Sequence, residues 1–264
     1  MLYDLRGNFD IPILSNCTLA CTGCTYLDYM NSGCTIDSTM RLDNIQRIIE
    51  NLKRLEVRLY RITFLGGEPT IHPEFLEMAK LLSCYKNVIY KELKLITNGT
   101  QLNEDFIKSL DYIDSVRVTI YPSTVDIRKA MDTTGLSEYI SSKCQFGFLY
   151  VSEFEDYGTK QSELEYSQQL NWKRCTKKNW CRILTEDTVY KCGISYNHRS
   201  EGCSYESRDE FIKYIENQTH PLDLCENCPT PPNFVPWSSN NEERDTKMVK
   251  RGIQIISNWR ETII

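Results

Sequence analysis

Twelve cysteines in a chain of 264 residues, gathered mostly into two groups, constrain this sequence more than any other feature. Cys17, Cys21, Cys24 and Cys34 lie near the start, and Cys84 and Cys144 stand alone. Cys175, Cys181, Cys192, Cys203, Cys225 and Cys228 form the second group. In a short secreted chain such a count would suggest disulfides. This chain is long enough to build a core without cross-links, and its first residues, MLYDLRGNFD, hold no signal-peptide core. No apolar run approaches the roughly 18–20 residues of a membrane span. The expected setting is therefore cytoplasmic and reducing, where clustered thiols mean metal, catalysis or chance. Two separated clusters suggest two metal centres. Hydrophobic residues at 41% and charged residues at 25% give an ordinary globular balance, which excludes a disordered or fibrous chain. Lys plus Arg (31) against Asp plus Glu (36) leaves a net charge of −5, so neither nucleic acid nor membrane is an expected partner.

Strand and helix signals alternate through the first part. Ile11 to Leu14 is a short apolar run, and Leu42 to Leu55 carries Ile45, Ile48, Ile49 and Leu52 on one helical stripe. Leu59 to Leu65 reads as a strand, Pro73 to Leu82 as a helix, and Leu93 to Thr97 as a strand. Asn103 caps a helix through Leu110, Val116 to Tyr121 is a strand, Val125 to Ile140 is helical in part, and Phe146 to Val151 is a fifth strand. This alternation predicts an α/β fold with a parallel sheet, open or closed into a partial barrel, with reactive groups at the C-terminal strand ends. The pattern changes after about Tyr157, dividing the chain into residues 1–160 and 161–264. In the second part, Lys160 to Gln169 is polar and Cys181 to Cys192 reads as a β-hairpin. Asp209 to Glu216 and Glu242 to Trp259 read as helices, and Pro229, Pro231 and Pro232 argue against regular structure around them.

Cys17-x3-Cys21-x2-Cys24 places three thiols on one loop after the first strand. Such a loop can offer three sulfurs to three irons of a cubane and leave the fourth iron open. Zinc wants four ligands, and Cys34 or a His could supply the fourth. Gly66-Gly67-Glu68-Pro69 and Thr97-Asn98-Gly99 each follow a strand as well, so the three segments converge on one mouth. His72 reads as a surface residue at a helix entry, and Cys34, Cys84 and Cys144 as ordinary thiols.

From Ile11 to Val151 these pieces together resemble the radical S-adenosylmethionine (radical SAM) superfamily. The resemblance implies a partial (β/α) barrel in which Cys17, Cys21 and Cys24 hold a [4Fe-4S] cluster and S-adenosylmethionine (AdoMet) chelates the open iron. It sets Gly66, Gly67, Glu68 and Pro69 along the methionine amino group and Thr97 and Asn98 near the ribose or carboxylate. Thr119, between Arg117 and Tyr121 on one face of the fourth strand, would turn towards the cofactor. Many members carry an aromatic residue before the third cysteine to contact adenine. Gly23 stands there instead, and Tyr26 is a candidate substitute.

The second group resembles the twitch domain, a shortened SPASM extension, which implies a small C-terminal α+β domain with one auxiliary [4Fe-4S] cluster. Cys175, Cys192, Cys225 and Cys228 are its ligands by that resemblance. Cys181 competes with Cys175, Cys203 is left over, and Glu186-Asp187-Thr188 replaces the usual hairpin glycine. A structural zinc knuckle is the other reading of four thiols. With two clusters and AdoMet, the resemblance implies hydrogen-atom abstraction by a 5′-deoxyadenosyl radical. An external donor such as flavodoxin or ferredoxin would supply the first electron, and the auxiliary cluster would accept the surplus one. The expected reaction is dehydrogenation of a small polar molecule (carbohydrate, nucleotide sugar or cyclitol), as in the small twitch dehydrogenase of aminocyclitol antibiotic biosynthesis. No leader-peptide-binding domain precedes the first strand, which is taken to favour a small substrate. Peptide epimerisation or cross-linking is the alternative, and a non-catalytic metal-binding module is a third reading. No catalytic base stands out.

Overall fold

The computed structural model describes residues 2–24, 39–156, 175, 181–197, 201–216, 222, 225 and 233–262. Strands and helices alternate through the first half: β1 (Tyr3–Leu14), α1 (Leu42–Arg54), β2 (Val57–Gly66), α2 (Phe75–Ser83), β3 (Tyr90–Thr97), α3 (Glu104–Ser109), β4 (Ser115–Ile120), α4 (Val125–Thr133), α5 (Leu136–Lys143) and β5 (Gln145–Tyr150). The five strands pair in parallel in the order β5-β4-β3-β2-β1. Alternate residues explain the layering. Phe9, Ile11, Ile62, Phe64, Leu93, Leu95, Val116 and Val118 face the helices and are buried. Ile45, Ile48, Ile49 and Leu52 of α1 bury against the same core, each worth roughly 1.5–3 kcal/mol. The other strand face, the concave side of the partial barrel, carries Asp10, Thr63, Lys94 and Ser115 in one paired row.

The rest of the chain adds β6 (Glu153–Asp156), β7 (Cys181–Leu184), β8 (Thr188–Tyr190), α6 (Gly193–Asn197), β9 (Cys203–Ser204), α7 (Arg208–Glu216), β10 (Asn233–Pro236) and α8 (Glu242–Ser257). The expected hairpin is β7–β8, and β7 runs parallel to β1, so the main sheet continues to eight strands ending β1-β7-β8-β9. β6 and β10 form a separate antiparallel pair. The α+β C-terminal part therefore shares a sheet with the barrel. Among the described residues no helix is long and apolar enough to cross a membrane.

Several elements differ from expectation. β1 begins eight residues before Ile11, because the polar stretch before it pairs with β2 around a register shift between Leu5 and Asn8, where Gly7 takes a positive φ. The Val125–Ile140 stretch is two helices, broken at Gly135 with φ +77°. Strand β10 follows the prolines, whose own positions lie outside the described residues, as do Lys160 to Gln169.

His72 is a correction. It is 3% exposed rather than on the surface. Its Nε2 pairs with Met40 O at 2.7 Å, and its Nδ1 accepts from Glu74 N at 3.0 Å. This arrangement requires the neutral ring, with Nε2–H donating. Burial lowers its pKa against the opposing influence of Met40 O and Glu74. A depressed folded-state pKa gives stability that is complete above the unfolded-chain value of about 6.5 and lost as pH falls through the folded value. Thermal unfolding followed from about pH 8 to about pH 5 is expected to show a steeper decline for the wild type than for His72→Gln. Parallel curves would remove His72 as the cause.

Candidate metal centre and cofactor site

The loop after β1 carries Cys17, Cys21 and Cys24, and the turn after β2 docks directly onto it. Gly67 N donates to Leu14 O at 2.7 Å and Glu68 N to Asn16 O at 2.9 Å. A Cβ on Gly66 would stand 2.2 Å from Leu14 O, and one on Gly67 2.0 Å from Asn16 O. Gly66 also has φ +139°. Only glycine allows this approach. The tightest demand on the two glycines thus comes from the cysteine loop, an origin the motif itself does not reveal.

Glu68 is fully buried and joins the second strand end to the third. Its Oε1 accepts from Thr70 Oγ1 and Thr97 Oγ1, both at 2.6 Å, and from Thr70 N at 3.2 Å. Its Oε2 accepts from Asn98 N at 2.7 Å. Burial raises its pKa against these hydrogen bonds, which lower it. Pro69 opens a short 3-10 helix, Pro69–Ile71, that sets Thr70 in place. Asn98 then reaches the cysteine loop: its Nδ2 donates to Thr18 Oγ1 at 3.0 Å and lies 3.6 Å from Cys17 Sγ. Thr18 and Thr100 hydroxyls pair at 2.6 Å. Thr119 is buried on the concave face of β4, beside this network.

The C-terminal segment closes the loop from its other side, a feature with no sequence signal. Thr22 N donates to Ser238 O at 2.9 Å and Asn240 N to Ala20 O at 2.7 Å, and Cys21 forms an isolated antiparallel bridge with Ser239. Arg244 donates to Cys17 O. Asp245, 1% exposed near the start of α8, accepts from Ala20 N through Oδ1 at 2.8 Å. Helix α8 can lie this close because Gly252 faces Thr100, where a Cβ would meet the Thr100 carbonyl oxygen at 2.8 Å.

Burial, with the Glu68 charge second, pushes the Cys17 thiol up to about 12, and burial does the same at Cys21. Burial and then the Cys21, Cys24 and Cys17 charges raise the Tyr121 phenol, so this side chain senses all three thiols. The Tyr121 ring stacks on Phe154 at 5.8 Å and on Trp237 at 6.2 Å. A Cβ on Gly23, whose φ is +75°, would lie 3.5 Å from Phe154 Cβ. Aromatic surface from β6 and the end of β10 therefore borders the position where an aromatic residue was absent. Tyr26 and Cys34 lie outside the described residues.

Two observations bear on what the loop could hold. Cys17, Cys21 and Cys24 lie on one loop, and a cubane takes one sulfur at each of three irons. The buried Trp237 Nε1–H faces Cys21 and lowers its thiol pKa, and among the described residues it makes no well-formed hydrogen bond. A cluster sulfur would satisfy that donor. The residues fit an iron–sulfur group.

In the second group, Cys192 Sγ accepts from Ser195 N at 3.4 Å at the start of α6. Lys191, 4% exposed, has its pKa lowered by burial and then by Arg182, and the nearby Cys225 opposes this. Tyr214 senses both Cys203 and Cys192. Lys191 N donates to Tyr214 Oη at 3.2 Å, so Cys225 acts on one member of this pair and Cys192 and Cys203 on the other. Cys175 is described without regular structure, Cys181 begins β7, and Cys228 lies outside the described residues. Cys84 is exposed, and Cys144 packs at the edge of the core.

Residues 11–141, about half of the chain, match the family model described as the Radical SAM superfamily. The chain belongs to that superfamily. Among curated relatives, the "Mycofactocin maturase MftC" of Mycobacterium tuberculosis (strain CDC 1551 / Oshkosh) is 28% identical over 122 residues, which is 45% of this chain and 28% of that protein. The chain thus matches less than a third of that relative's length. The structure of BtrN in complex with AdoMet and 2-DOIA superposes with TM-score 0.54 at 16% identity, covering 97% of this chain and 94% of that one. Native anSMEcpe with bound AdoMet and Cp18Cys peptide gives 0.50 at 14%, covering 98% of each. The last two likenesses establish the fold: a partial radical SAM barrel with a C-terminal α+β region.

Asp245→Ala should reduce unfolding free energy in urea by about 1–3 kcal/mol, because Ala20 N loses its buried acceptor. An unchanged midpoint and slope would show that the Asp245 hydrogen bond does not hold the loop.

Proposed function

We propose that this chain is a radical SAM enzyme that abstracts a hydrogen atom from its substrate. The observation that carries the reading is the hydrogen-bonded convergence of three strand ends, residues 15–24, Gly66 to Pro69 and Thr97 to Gly99, on one mouth of the barrel. In this reading Cys17, Cys21 and Cys24 hold a [4Fe-4S] cluster. Gly66, Gly67, Glu68, Pro69, Thr97, Asn98 and Thr119 form the AdoMet cradle, with the Glu68 carboxylate acting from behind as a brace. Bound there, cluster and AdoMet together would supply a 5′-deoxyadenosyl radical able to attack an unactivated C–H bond. The chain's own part is to fix the Asn98 backbone N–H and the Thr97 hydroxyl, to set the sulfurs beside Tyr121 and Trp237, and to keep water from the reacting centre. Residues 161–264 would hold a second [4Fe-4S] cluster through Cys175, Cys192, Cys225 and Cys228, and a flavodoxin or ferredoxin would donate the electron.

For the substrate, a peptide has the broader support. It rests on the full-length likeness to anSMEcpe with its bound peptide and on the partial match to a maturase. The small polar substrate expected from the sequence keeps specific support in the full-length likeness to BtrN in complex with 2-DOIA and in a partial match, 30% identical over 141 residues, to a "Probable GTP 3',8-cyclase".

Anaerobic reconstitution with iron and sulfide should load about eight irons per chain, and reduction in the presence of AdoMet should give 5′-deoxyadenosine. Cys17→Ala should abolish that product. Cys225→Ala should retain part of it while losing substrate conversion. Protected, reconstituted protein that never forms 5′-deoxyadenosine would overturn the reading, and full turnover by Cys225→Ala would make the second centre structural.

A further inference from the structure

The concave face of the barrel carries charge below the level of the strand-end loops. Its lower row is Asn8, Arg61 and Glu92, and its middle row is Asp10, Thr63, Lys94 and Ser115. Arg117 pairs with Ile96, one step nearer the mouth. Leu93 and Leu95 are buried against the helices, so Lys94 between them points the other way, into the concavity. There its charge interacts with Arg117, Arg61, Glu92 and Asp10, which come from four strands including its own.

These groups do not balance. Glu92 is already engaged: one oxygen takes Arg61 at 2.7 Å and the other takes Ser115 Oγ at 2.7 Å. Arg61 also donates to Asn8 Oδ1 at 3.0 Å. Lys94 is half-buried, yet among the described residues no acceptor lies within hydrogen-bond or ion-pair distance of its ammonium. Among the described residues three cations (Arg61, Lys94, Arg117) thus face two carboxylates (Asp10, Glu92), with Asp10 and Arg117 each already engaged in an interaction of its own. Burial lowers the pKa of Lys94, with Arg117 and Arg61 adding to the effect. An ammonium held in that position with three unused donors is costly unless something negative arrives.

We propose that the barrel concavity binds an anionic group of the substrate, a carboxylate or phosphate, on Lys94 with Arg117 alongside. The inference rests on the radical SAM reading above and adds the substrate's chemical class. Lys94 precedes Thr97 by three residues, about 10 Å at roughly 3.3 Å per strand residue. A substrate anchored there by its anion extends its carbon skeleton towards the strand-end loops, and the anchor fixes which C–H bond faces them. The same anchor suits an acidic residue of a peptide and a phosphate or carboxylate of a small molecule.

The test is calorimetric titration of the anaerobically loaded, AdoMet-bound full chain at constant ionic strength. Inorganic phosphate, succinate and acetyl-Gly-Glu-Gly-amide serve as probes. At least one should bind saturably, Lys94→Met should weaken it by about tenfold or more, and Lys94→Arg should largely restore it. Preference for the peptide, succinate or phosphate tells an acidic peptide from a small acid or a phosphorylated substrate. Lys94→Gln carries the test if the Met variant unfolds early. Absence of saturable binding by all three probes, or equal binding by the wild type and Lys94→Met, overturns the proposal. Wild-type 5′-deoxyadenosine formation reports separately on the radical chemistry, so the two readings can fail independently.

Discussion

One buried carboxylate holds the mouth of this barrel together. Glu68 takes hydrogen bonds from Thr70, Thr97 and Asn98 and so locks the ends of β2 and β3 into one piece. The turn that carries it is fastened to the cysteine loop through Gly67 N and Glu68 N, an approach that only the two glycines permit. Asn98, oriented through that carboxylate, then reaches Thr18 and the sulfur of Cys17. A motif of four residues thereby determines the geometry of two further segments. Its polar atoms are used chiefly on the protein itself, as expected where backbone must be preorganised before a ligand arrives.

The C-terminal segment completes the enclosure. Ser238, Asn240, Arg244 and Asp245 supply the cysteine loop with partners more than two hundred residues distant in sequence. The Tyr121, Phe154 and Trp237 rings stack together beside it, with Trp237 facing Cys21 and Tyr121 within electrostatic reach of all three thiols. Burial there raises the thiol pKa values, and a metal group must displace those protons to bind. The buried indole N–H of Trp237, which faces Cys21 without a well-formed acceptor among the described residues, offers such a group a donor.

Much of this was legible in the sequence, for identifiable reasons. The strands and helices of the barrel were readable because Ile45, Ile48, Ile49 and Leu52, or Leu93 and Leu95, repeat at helical or strand spacing. The site motifs were readable because each follows a strand. What escaped was long-range or locally ambiguous. The polar first half of β1 looks like a loop until β2 and its register shift are present. His72 beside Pro73 looks like a surface turn, and only the fold brings Met40 O to its ring. Asp245 and Trp237 sit in no motif, and nothing local says that they return to the first cysteine loop. The charge on the concave face was only partly seen, through Arg117, because Lys94 lies in a strand whose neighbours decide which way it points.

The parallel pairing of β1 with β7 makes β1 an interior strand. A chain ended after Asp156 would leave β1 as a bare margin, with unpaired amides and carbonyls ready to recruit a second molecule. It would also strip the thiol loop of Ser238 to Asp245. Shortened versions of this protein should therefore aggregate instead of behaving as a minimal catalytic unit, and loss of order in the β7–β9 region should be felt at the barrel mouth.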